Sequence, residues 1–105
     1  MMKVYSKSIE VLRGLGEVAS RIALRDADLA RQLRRAGASV PLNVAEGEHG
    51  LGRRQKMSFA VALGSARECR ACIDVSVALG YVDEVDDELR DDLDHVIAML
   101  YRLSR

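Results

Sequence analysis

The sequence predicts an all-α chain folded as an antiparallel up-down-up-down four-helix bundle. Four segments repeat apolar residues at helical spacing. The breaks between them are short, which favours antiparallel neighbours. With one Pro and 4% aromatic residues, the chain lacks the turns and β-formers of a sandwich. Its 105 residues suit one domain, spanning 1–105.

The first segment runs over roughly residues 3–24, with Val4, Val11, Leu12, Leu15, Val18, Ala19 and Ile22 on one face. At 100° per residue this is an ordinary core stripe of about 120°. Asp26 and Asp28 then offer carboxylates to cap a second helix. That helix covers roughly 28–48, with Leu29, Leu33, Ala36, Val40 and Val44 in phase. Pro41 falls inside the pattern and crowds the carbonyl of Gly37. Because the period continues across Pro41, a kinked continuous helix is expected, its bend using the missing Gly37 Cβ. The alternative is two short helices broken at Ser39-Val40.

Gly47, Gly50 and Gly52 mark the next break, and a third helix runs over roughly 54–80. Its apolar arc exceeds about 180°, more than one core covers. Val61, Cys72 and Val75 are therefore the expected subunit interface. Gly80 reads as the residue that ends this helix. The fourth segment, roughly 84–104, places Val85, Leu89, Leu93, Val96, Ile97, Leu100 and Leu103 together.

Composition excludes several classes. A chain 49% hydrophobic and 30% charged is too apolar to be disordered. No apolar run reaches about 18 residues and the N-terminus lacks a signal-peptide core, so a soluble cytoplasmic protein with no membrane role is expected. Two cysteines three residues apart cannot staple a scaffold. Cys69-Arg70-Ala71-Cys72 has no second pair to complete a metal site, and small core thiols are the simpler reading. His49 and His95 lack ligand company, and Asp83–Asp94 lacks EF-hand spacing. No cofactor, metal or catalytic residue is expected, and the chain reads as a non-enzyme.

The run Gln32-Leu33-Arg34-Arg35-Ala36-Gly37-Ala38-Ser39-Val40-Pro41-Leu42-Asn43-Val44-Ala45-Glu46-Gly47 is more specific than amphipathicity. With Gly52-Arg53, Gly64-Ser65-Ala66-Arg67-Glu68 and Leu79-Gly80-Tyr81, it resembles a bacterial four-helix-bundle family. That family includes proteins encoded in intervening sequences of large-subunit ribosomal RNA genes. The resemblance is close over roughly residues 29–81. The chain lacks the family's usual early Trp and its Pro in the first loop. The resemblance implies an antiparallel bundle without catalytic activity, often a homopentamer with a central channel. A more distant similarity is to the Avd accessory proteins of diversity-generating retroelements, which bind nucleic acid and a reverse transcriptase.

Gln32, Arg35, Ser39, Asn43 and Glu46 fall within about 80° on helix two. A structural network is expected there: Ser39 and Asn43 serving groups freed by Pro41, and Glu46 or Glu68 pairing with Arg35. A ligand or nucleic-acid surface is the competing reading.

Charge is unevenly placed although the total is zero. Residues 1–56 hold 11 basic and 6 acidic side chains, net +5, and the remainder is net −5. Threading onto the bundle gathers Lys3, Lys7, Arg53, Arg54, Lys56, Arg102 and Arg105 against Glu46 and Glu48, net +5. The opposite end gathers seven acids against Arg21, Arg25 and Arg31, net −4. Arg53, Arg54 and Lys56 oppose the macrodipole of helix three, and an anion there would relieve them. The expected function is a homo-oligomer binding RNA or DNA through backbone phosphates, using Lys3, Lys7, Arg53, Arg54, Lys56 and Arg102. The alternative is an assembly module that takes a protein partner and no nucleic acid.

Overall fold

The computed structural model describes residues 2–105, and Met1 lies outside the described residues. Four helices are present: α1 (Lys3–Ala23), α2 (Ala27–His49), α3 (Gly52–Ala78) and α4 (Asp87–Leu103). Each packs on its chain neighbour and α4 returns to α1, while the diagonal pair α1 and α3 barely touches. This is the up-down-up-down bundle. The molecule is a rod of 43 × 24 × 19 Å.

The ends of the helices follow local chemistry. Asp26 caps α2, its side chain accepting from Leu29 N at 3.0 Å. Gly80 adopts φ +75° after α3. Gly80 N donates to Val77 O at 3.0 Å and Tyr81 N to Ser76 O at 2.9 Å. That pair of bonds is a Schellman motif, which satisfies the last free carbonyls. The helix-four boundary differs from expectation. Residues 79–86 form a turn, and α4 starts at Asp87 because the Asp86 side chain caps it through Glu88 N. Val85 is buried, as expected, but from the turn and beside Val82.

The α1 and α2 stripes point inward as read, with Leu15, Ile22, Leu33 and Val44 almost fully buried. Helix α2 runs unbroken through Pro41, which is itself buried. The role expected of Gly37 is corrected. A Cβ there would meet Leu12 Cδ1 at 3.0 Å and Leu15 Cδ1 at 3.4 Å, both on α1. Gly37 therefore lets α1 approach α2, and makes no room for the proline ring.

The α2–α3 contact is tighter still. A Cβ on Gly47 would lie 2.6 Å from Phe59 Cε1 and 2.9 Å from two further ring atoms. Phe59, the chain's single Phe, is buried there. Gly64, in mid-α3, is the opposite case: nothing lies within 4 Å of its absent Cβ. Gly47→Ala should lower stability by about 1–3 kcal/mol, because the ring cannot yield in a packed core. Gly64→Ala should raise it by about 0.5–1 kcal/mol through helix propensity alone. Urea unfolding of the two variants checks both signs.

Candidate functional site

The threading places the starts of α1 and α3 beside the ends of α2 and α4. The Glu48 side chain accepts from Met2 N, Gln55 Nε2 donates to Gly47 O at 3.0 Å, and Arg102 shares a groove with Lys3. The basic residues thus share one end, but they form two clusters on opposite sides of it.

The first cluster lines a groove of about 590 Å³ between α1 and α4, with Lys3, Lys7, His95 and Arg102 around Met99. Lys7 is already engaged: its Nζ is 3.0 Å from Asp92 and 3.8 Å from Glu10. The Asp92 carboxylate holds the Lys7 ammonium above its usual pKa. The second cluster is Arg53 and Arg54, in the first turn of α3, with Lys56 just after it, all exposed. That helix has no acidic residue in its first turn, and its N-cap, Leu51, supplies no side-chain bond. Among the described residues, Lys7 alone of the seven cations at this end has a carboxylate within ion-pair distance.

Arg54 also borders a larger groove between α2 and α3, about 1000 Å³, with Glu46 and His49. Its apolar lining is Leu42, Leu51, Met57 and Val61, which are 69%, 86%, 60% and 52% exposed. Sequence reasoning missed this groove, since Leu42 and Leu51 break no pattern that would single them out.

The polar signature of α2 divides. Asn43 Nδ2 donates to Ser39 O at 2.8 Å and to Ser39 Oγ at 3.0 Å, next to buried Pro41. Ser65 Oγ of α3 donates to Ser39 Oγ at 2.8 Å, tying the two helices. Ser39 and Asn43 are thus bonded to each other, with Ser65 an addition. Among the described residues no side chain bonds the Gly37 carbonyl that Pro41 leaves without its donor, so the service expected of them is corrected. The charged part is corrected. Gln32, Arg35, Glu46 and Glu68 are exposed, and among the described residues Arg35 pairs with neither carboxylate. A hydrated Glu68 needs no buried partner.

The expected seam residues also divide. Val61 and Val75 are exposed, whereas Cys72 is 3% exposed and belongs to the core. Cys72 follows Cys69 by three positions and so shares its inward face. The outer face of α3 instead carries Met57, Val61, Gly64, Glu68, Ala71, Val75 and Ala78, all exposed. Their spacing alternates between four and three residues, the repeat of a coiled-coil seam. Only Glu68 among them is charged.

Both thiols are free and buried, and burial pushes Cys69 up to about 12. No three His, Cys, Asp or Glu side chains among the described residues are grouped to hold a metal. No helix among them is long and apolar enough to cross a membrane.

An antiparallel four-helix bundle with this α2–α3 signature defines a class, and comparison with known proteins gives the family. The family model for the 23S rRNA-intervening sequence protein matches residues 1–102, so the chain belongs to that family. A solved structure with the same fold is a protein of unknown function from the S23 ribosomal protein family of Bacteroides thetaiotaomicron VPI-5482. It is 18% identical, with a TM-score of 0.85 over 97% of this chain and 98% of that one. No curated protein matches the chain.

At pH 8 a thiol titrating at about 12 is thiolate in roughly one molecule in ten thousand. Cys69 should therefore resist thiol reagents until the chain unfolds. Rapid labelling of the native protein would show that the core opens locally.

Proposed function

We propose that this chain is a non-enzymatic bundle that binds nucleic acid, RNA first, through backbone phosphates at its basic end. The observation that carries this reading is the set of cations there without carboxylate partners. Lys3 and Arg102 lie on one side and Arg53, Arg54 and Lys56 on the other. Elsewhere Arg31, Arg70 and Arg90 sit against Asp28, Asp94 and Asp74. Arg13, Arg21, Arg25, Arg34, Arg35 and Arg67 also lack an ion pair among the described residues, so it is the gathering of such cations at one end that counts. The uncapped start of α3 adds outward backbone N–H groups, which favour phosphate. The family's printed description, which ties it to 23S rRNA intervening sequences, makes RNA the first ligand to try. A single exposed aromatic among these cations, Tyr101, already lies under the Arg105 guanidinium at 5.1 Å, so the reading is contact with phosphate and not a run of stacked bases.

A second reading has its own observation. The exposed leucines beside Arg54 and the bare outer face of α3 favour an assembly module, with α3 as the seam between copies of this chain. The two readings are compatible, since the seam and the cation clusters use different residues.

A titration across salt separates them. For single-stranded RNA, log K should fall with log salt at about −0.7 per phosphate contact. Arg53→Glu with Arg54→Glu should flatten that slope by about 1.4 and weaken binding at least about tenfold. Arg13→Glu with Arg34→Glu, an equal charge change at mid-bundle, should do much less. Affinity that ignores salt, or that survives the Arg53/Arg54 change, contradicts the phosphate reading.

A further inference from the structure

We propose that the groove between α1 and α4 binds a nucleotide by its terminal phosphate and its base. This rests on the phosphate reading and names the ligand class for one of the two cation clusters.

Helical spacing builds the groove. Lys3 and Lys7 stand four apart on α1, and His95, Met99 and Arg102 stand four and three apart on α4. The two faces meet around a space of about 590 Å³. Toward the end of the bundle it runs into a slot of about 240 Å³, lined by Met2, Val4, Met99 and Leu103. Lys3 and Arg102 border both spaces. A cationic mouth thus opens onto an apolar recess.

The charges at this mouth call for an anion from outside the protomer. Among the described residues, Lys3 and Arg102 have no carboxylate within ion-pair distance. Glu10, the carboxylate in the lining, is 3.8 Å from Lys7 Nζ, and Asp92 holds the same ammonium at 3.0 Å. Glu48 reaches the α1 start but is engaged by Met2 N. The first turn of α1 has no acidic residue of its own. Two unpaired cations across one mouth match a phosphate monoester, which carries about −1.5 to −2 at pH 7. An internal phosphodiester brings a single charge. The Arg102 fork also suits two oxygens of one phosphate.

The recess selects what the phosphate carries. Between the two cations its lining is Met, Val and Leu, a surface for a flat apolar face. The thioethers of Met2 and Met99 make favourable contacts with aromatic rings. A base held there leaves its polar edge to solvent and its ribose between the recess and the cations.

The test uses the full chain with carbon-13 methionine methyls and adenosine 5′-monophosphate as the probe. The nucleotide should shift the Met99 and Met2 signals and leave Met57, on α3, in place. Inorganic phosphate, which lacks the base, should bind about tenfold more weakly. In parallel, one single-stranded RNA is titrated with a 5′-phosphate and with a 5′-hydroxyl. The phosphorylated strand should bind about tenfold tighter, and Arg102→Gln should erase most of that preference. Arg53→Glu with Arg54→Glu should weaken both strands and keep their ratio. A Met99 shift together with the strand preference supports the site with a strand end as its ligand. A Met99 shift without that preference supports it with a free nucleotide. No Met99 shift overturns the site, as does an equal affinity for inorganic phosphate or a stronger response to octanoate. The salt slope at Arg53 and Arg54 is read separately, so either proposal fails alone.

Discussion

The packing of α3 against α2 is the constraint on which the rest of the structure depends. Gly47 gives up its Cβ so that the Phe59 ring can lie against the α2 backbone. Ser65 and Ser39 tie the same two helices farther along, at 2.8 Å. These two contacts fix the register of the longest helix pair in the molecule. They turn Ala62, Ala66, Cys69 and Ile73 into the core and leave Val61 and Val75 outside it. An apolar helix with only one face accommodated has a second face to cover.

The same register sets the electrostatics. Because α2 ends where α3 begins, Arg53, Arg54 and Lys56 are held beside the α1 start and the α4 end. Of the carboxylates there, Glu48 serves the α1 start through Met2 N, Asp92 and Glu10 hold Lys7, and Glu46 is exposed without an ion pair among the described residues. At the opposite end Asp26 and Asp86 cap α2 and α4, where their charge complements the helix dipoles. Each end thus keeps a surplus of one sign: Asp83, Glu84, Asp87 and Glu88 are as free of ion pairs among the described residues as Arg53, Arg54 and Lys56 are at the basic end.

Much of the fold was legible because its signals are local. The Asp26 cap, the Gly80 terminator and the α1 and α2 stripes depend on near neighbours in sequence. The α4 start was misread because Val85 stands four residues before Leu89 and continues the stripe in phase. The Asp86 side chain, a competing local signal, caps the helix and starts it at Asp87 instead. What periodicity cannot express is which of two apolar arcs on α3 turns inward. Cys72 and Val75 look alike in sequence, yet one faces the core and the other solvent. Glu68 was given a buried partner for the same reason, and it sits on the open arc. The purpose of Gly37 depended on Leu12 and Leu15, whose approach is a tertiary fact.

The central claim is that the open arc of α3 is a contact between copies lying side by side. Small-angle scattering with absolute mass calibration tests it most directly. The protomer has a mass of 11.6 kDa and a length of 43 Å. The account predicts a particle of at least twice that mass whose longest dimension stays far below twice the protomer length. A particle of one protomer's mass at all concentrations would contradict it, as would a doubled mass at nearly doubled length.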